Sequence, residues 1–90
     1  MTKQITLSTT AVEIIGEDES RTAVSIQNND TTISVYIGKV PTVSSTTGYL
    51  LPAGAVLEFY KKIGDNTRQR RYAVSASGTP TISIEEEYGE

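Results

Sequence analysis

The chain is predicted to fold as an all-β domain: a single β-sandwich, jelly-roll-like, of about seven to eight short antiparallel strands. Three observations carry that expectation. Residues 21–28 and 33–38 alternate side-chain character with period two, so Val24 and Ile26 share one face of a strand and Ile33, Val35 and Ile37 share one face of the next. Gly, Pro, Asn, Asp and Ser gather at short intervals between such runs, where turns need them. No window sustains a 3.6-residue period for three turns, and the best helical candidate, residues 57–63, alternates instead.

The elements follow in order. Ile5 and Leu7 alternate with Gln4 and Thr6, which fits a first strand or an N-terminal arm. Residues 11–15 read as the next strand, and Gly16-Glu17-Asp18-Glu19-Ser20 turns the chain into the run that begins at Arg21. That run, the break at Asn29-Asp30-Thr31-Thr32 and the run to Gly38 together suggest an antiparallel hairpin with one wet side. Residues 38–48 are too rich in Pro, Gly, Ser and Thr for a long strand, and a loop with a short strand near residues 42–44 is expected. Tyr49-Leu50-Leu51 resumes as a strand, and Pro52-Ala53-Gly54 reads as a tight reversal, since Pro presets φ and Gly accepts a positive one. In residues 55–60, Leu57 and Phe59 share a face. After the turn at Gly64-Asp65-Asn66, residues 71–76 form a strand with Tyr72, Val74 and Ala76 on one side. Ser77-Gly78-Thr79-Pro80 turns into a last strand with Ile82 and Ile84 inward. Residues 1–90 are read as one domain, with 1–10 as the arm or first strand and 87–90 as a flexible tail.

Ninety residues lie toward the small end of the domain size range, where a single core is hard pressed to offset chain entropy. Association is one remedy, and a homo-oligomer is expected. The 22 Ser and Thr residues suit the half-exposed faces of strands. With no Cys and no His, neither a disulfide, a Ser–His triad nor the common zinc sites can be built. The acids gather in Glu17-Asp18-Glu19 and Glu85-Glu86-Glu87, read as a solvated turn and tail without the spacing of a calcium loop. No glycine-rich phosphate loop appears. The expectation is a protein that is not an enzyme and carries no cofactor. No apolar run has the length to span a bilayer or the character of a signal peptide, so cytoplasmic synthesis and no membrane association are expected. A net charge of −3 argues against general nucleic-acid binding.

Five of the eight basic residues fall in one interval: Lys61, Lys62, Arg68, Arg70 and Arg71. They are candidates for contact with an acidic partner surface, set against the plainer reading of a solvated loop. Ile5 and Leu7 are the second candidate, as an arm that adds a strand to a neighbour. The tyrosines, Tyr36 and Tyr49 among them, could serve a sugar platform or simply pack across strands.

Two blocks of sequence carry a resemblance. The first is Arg21-Thr22-Ala23-Val24-Ser25-Ile26-Gln27-Asn28, then Val35-Tyr36-Ile37-Gly38, then Gly48-Tyr49-Leu50-Leu51-Pro52-Ala53-Gly54. The second is Tyr72-Ala73-Val74-Ser75-Ala76-Ser77-Gly78-Thr79 with the Ile82/Ile84 strand and the acids behind it. Over residues 21–87 the chain resembles the small β-sandwich accessory virion proteins of tailed bacteriophages, the head decoration or cement type. The resemblance implies a virion component that docks on the major capsid protein or another virion protein and self-associates, often as a trimer. A carbohydrate-binding or host-adhesion module, and a tail or connector component, are the alternatives.

Overall fold

The computed structural model describes residues 2–44, 46–60 and 69–88. It is all-β, with eight strands: β1 (Thr2–Thr6), β2 (Val12–Ile15), β3 (Arg21–Asn28), β4 (Val35–Gly38), β5 (Tyr49–Leu51), β6 (Val56–Tyr60), β7 (Arg71–Ser75) and β8 (Thr81–Tyr88). They form two four-stranded antiparallel sheets, in the orders β1-β8-β3-β6 and β2-β7-β4-β5. The pairs β1·β8, β2·β7, β3·β6 and β4·β5 nest around the β4–β5 connection, as if one long hairpin had been rolled up. The pairs β3·β8 and β4·β7 then close each sheet. This is the winding of a jelly roll.

Alternation decides which side of each strand is buried. In the first sheet Ile26 lies between Ile84 of β8 and Leu57 of β6, while Val24 lies between Glu86 and Phe59. In the second, Val35 and Ile37 of β4 face inward beside Ser75 and Ala73 of β7. With Leu7, Ile14, Ile15, Leu51 and Ile82 these side chains make one core between the sheets. Leu57 and Phe59 do share the inward face of β6, as the sequence suggested, though both are only half-buried.

Three expectations are corrected. The runs at β3 and β4 do not pair as a hairpin: they belong to opposite sheets. The turn between them is a corner held by side chains. Asp30 Oδ2 accepts from the backbone N–H groups of Thr32 (2.9 Å) and Ile33 (2.7 Å). The fully buried Asn28 amide donates to the carbonyls of Ile33 (2.9 Å) and Leu51 (3.0 Å), joining the end of β3 to the opposite sheet.

Tyr72 and Val74 do share a face of β7, the outer one, while Arg71, Ala73 and Ser75 share the inner one. Val74 is nonetheless buried, from outside, where it shares a depression with Pro41, Thr42 and Val43 of the loop after β4.

No strand forms at residues 42–44. Val43 is buried in that outer depression instead, and the space it occupies exists because Gly38 and Gly48 lack side chains. A Cβ at either would stand 2.6 or 2.7 Å from its Cγ2 atom. Lastly, β8 continues through the acidic run, so Glu86 is a buried residue rather than part of a solvated tail.

A candidate contact edge and the cleft behind it

Among the described residues β5 ends one sheet and β6 ends the other, on the same side of the sandwich. The short turn between them is set by Pro52, whose carbonyl accepts from Ala55 N at 3.0 Å, and by Gly54 at φ 78°. That side carries a concentration of exposed apolar surface: Tyr49 (60%), Leu50 (48%), Val56 (49%) and Tyr60 (40%). Leu50 lies on the outer face of the second sheet, Val56 and Tyr60 on that of the first, and Tyr49 between them at the cleft, so the exposed apolar groups are spread around this edge.

Between β5 and β6 the two sheets part to leave a cleft of about 320 Å³. Its walls are Ile37, Gly38, Tyr49, Leu57 and Phe59, with Lys39 and Arg71 as its charged lining. Tyr49 reaches this cleft because it sits opposite Ile37, an inward position of β4, whereas Leu50 sits opposite Tyr36 on the outer face. The Arg71 guanidinium lies 4.5 Å from the centre of the Phe59 ring, a cation–π arrangement. Burial, and then the neighbouring Arg21, hold the Arg71 pKa below its usual value.

Next to Arg71 the sandwich buries two further charges. Arg21 Nε donates to Glu86 Oε2 at 3.0 Å, and Arg21 Nη2 donates to the Gly16 carbonyl at 2.8 Å. The Tyr88 hydroxyl donates to the same Glu86 oxygen, which raises its own pKa, and Lys3 stands 3.9 Å from the other oxygen. The buried charged side chains among the described residues are thus Arg21, Arg71 and Glu86. The outer face of the first sheet is acidic: Glu85 and Glu58 flank Ser25, while Glu87 and Tyr60 flank Ala23. The Tyr60 hydroxyl donates to Glu58 Oε2 at 2.9 Å, and that bond raises its pKa. Among the described residues no group of three or more acids is arranged to hold a metal ion, and no helix is long and apolar enough to cross a membrane.

The residues singled out in the sequence disperse. Lys61, Lys62 and Arg68 lie outside the described residues. Arg70 is half-exposed and pairs loosely with Glu13 (3.7 Å) and Glu17 (3.8 Å) across the β2 side of the second sheet. Arg71, its neighbour along a strand, turns to the opposite side and enters the interior beside the cleft. Leu7 is a core residue, and Ile5 packs half-buried against the core from β1, which is paired with β8 of its own chain. Tyr36 and Tyr49 project from opposite faces of the second sheet and make no common platform. The sequence reading passed over the cleft. Its signal was the odd-numbered alternation Arg71, Ala73, Ser75, obscured because arginine is rarely buried.

Compared with protein-family models, with curated proteins and with solved structures, the chain matched none.

Proposed function

We propose that this protein is a structural component of a tailed-phage virion. It decorates or cements the capsid exterior through protein–protein contacts and carries out no catalytic step. The observation that carries the reading is the exposure of Tyr49, Leu50, Val56 and Tyr60 on β5 and β6, which end the two sheets on one side among the described residues. A surface of that kind is suited to a partner polypeptide. The eight-stranded jelly roll, an architecture used by viral capsid and lectin domains, and the sequence resemblance over residues 21–87 support it further.

The partners in this reading are the major capsid protein, or another virion protein, and further copies of the same chain, with a trimer favoured. The mechanism is mass action. A protein that binds only the assembled shell stabilises it by about 2.7 kcal/mol per site at a hundredfold excess over Kd.

The test uses particles assembled from the structural genes encoded beside this one. Adding the protein is expected to raise their melting temperature and to leave it sedimenting with them. Particles that melt identically and retain no protein would end the reading.

A further inference from the structure

We infer that β1 of one copy pairs with β1 of a second, antiparallel and about a twofold axis, so that two first sheets merge into one continuous sheet. The seam lies on the side of the sandwich away from β5 and β6 and leaves Tyr49, Leu50, Val56 and Tyr60 exposed. It goes beyond the virion reading and does not rest on it. Being twofold, it adds to a threefold contact rather than supplying one.

The outer edge of β1 carries a row of unused backbone groups. Leu7 N donates to the Pro80 carbonyl at 2.8 Å, and successive residues of a strand turn their N–H and C=O groups to alternate sides. Lys3, Ile5 and Leu7 therefore turn theirs to β8, while Thr2, Gln4 and Thr6 turn theirs away. The facing strand agrees: Thr81, across from Thr6, gives its carbonyl to Asn29 N on the β3 side at 3.0 Å. Gln4 and Thr6 are exposed, and their N–H groups meet no acceptor among the described residues. Edges of this kind are ordinarily guarded by Pro, a bulge or charge. On the same side of the molecule β2 has a bulge between Glu13 and Ile15, whereas β1 pairs in unbroken register and holds no Pro. Its one charge, Lys3, is drawn to Glu86 of its own chain at 3.9 Å.

The run Thr2-Lys3-Gln4-Ile5-Thr6 complements itself. Antiparallel pairing centred on Gln4 sets Gln4 against Gln4 and each Thr2 against Thr6 in hydrogen-bonded positions, so every outward N–H and C=O of β1 finds a partner. Lys3 then stands opposite Ile5, and no like charges meet across the seam. A slip of two residues in one direction sets Lys3 against Lys3, and in the other leaves Thr2 without a partner on the strand. The centred register is therefore the favoured one. Two edges of five residues bury less than the roughly 1,200–2,000 Å² of a stable complex, so the seam is a reversible contact between free copies.

The chain has no Cys, so single cysteines report the register directly. Across a hydrogen-bonded antiparallel pair the Cα atoms are about 5.5 Å apart, within reach of a disulfide. The two copies of Thr6 stand about 13 Å apart in this register, beyond that reach. Oxidation at high protein concentration is expected to turn Gln4→Cys into a covalent dimer at least about tenfold faster than Thr6→Cys, both positions being exposed. In the unmodified chain, amide exchange is expected to slow at Gln4 and Thr6 as concentration rises, while Lys3, Ile5 and Leu7, already bonded to β8, change little. Gln4→Lys sets two cations face to face at an exposed position. It is expected to weaken the association roughly fivefold, read from the concentration at which exchange slows, and to leave the melting temperature of the dilute protein unchanged. Equal oxidation rates for the two cysteines, or exchange at Gln4 and Thr6 that ignores concentration, would overturn the inference. So would a Gln4→Lys chain that associates as tightly as the original, because the copies would then meet elsewhere.

Discussion

The Asn28 amide donates to two carbonyls of the opposite side of the sandwich, and its oxygen accepts from the Asp30 N–H at 3.0 Å. Only a carboxamide presents that set, and glutamine would carry it one methylene further out. Asn28→Asp turns the donor into a carboxylate facing two carbonyl oxygens, and Asn28→Ala leaves both carbonyls buried without it. Each abandoned group costs about 1–3 kcal/mol. Urea unfolding is expected to show both variants destabilised by at least about 2 kcal/mol, the Asp variant more at pH 7 than near pH 3. The Arg21–Glu86 pair is similar in kind. Removing one member, as in Glu86→Gln, is expected to cost about 3–5 kcal/mol, whereas an apolar replacement of both recovers much of that loss. Asp18 and Asp30 are held below the usual carboxylate range by hydrogen bonds from Ser20 and from the Thr32 and Ile33 N–H groups respectively. Both groups bind fewer protons folded than unfolded near pH 4. Their contribution is therefore complete above the unfolded pKa, about 3.9, and lost as pH falls through the lower folded values. Asp30→Asn is expected to flatten the acid limb of a stability–pH curve while lowering stability at pH 7. An unchanged acid limb would show that the corner is held by something else.

At the scale of elements, the strands were legible because a period of two needs only neighbouring residues to be seen. Their partners were not, because pairing in a jelly roll is non-local. Nothing in residues 21–38 says that β3 and β4 diverge into different sheets. The divergence is tied down by Asn28, which reads as ordinary turn chemistry until its reach to Leu51 is known. Arg71 and Glu86 hid for a related reason: charge predicts exposure, and burial of both depends on long-range company that composition does not display. The glycines separate two kinds of necessity. Gly38 and Gly48 are needed for space, so Gly38→Ala or Gly48→Ala drives a methyl into Val43 and is expected to cost about 1–3 kcal/mol. Gly54 meets nothing within 4 Å and is needed only for its positive φ, so Gly54→Ala is expected to cost about 1–2 kcal/mol. The Gly38 loss should shrink when paired with Val43→Ala, and the Gly54 loss should not. Thermal unfolding of the Gly38 and Gly54 variants, alone and combined with Val43→Ala, and of Val43→Ala itself decides it.

For the whole molecule, a domain of this size with an apolar side is expected to be at its most stable in company. Light scattering across a concentration series is expected to show a homo-oligomer, a trimer by the resemblance, and melting temperatures that rise with concentration. A monomer whose melting ignores concentration would contradict that. The expected geometry places one edge of the sandwich in charge of contacts. In the first sheet β1 and in the second β2 end the side away from β5 and β6. The two sides are therefore distinguishable in one experiment, hydrogen exchange of the free protein against the particle-bound protein. The account predicts new protection in β5 and β6, around Tyr49, Leu50 and residues 56–60, with β1 and β2 unchanged. Protection that falls instead on β1 and β2, or particles that retain no protein at all, would contradict it.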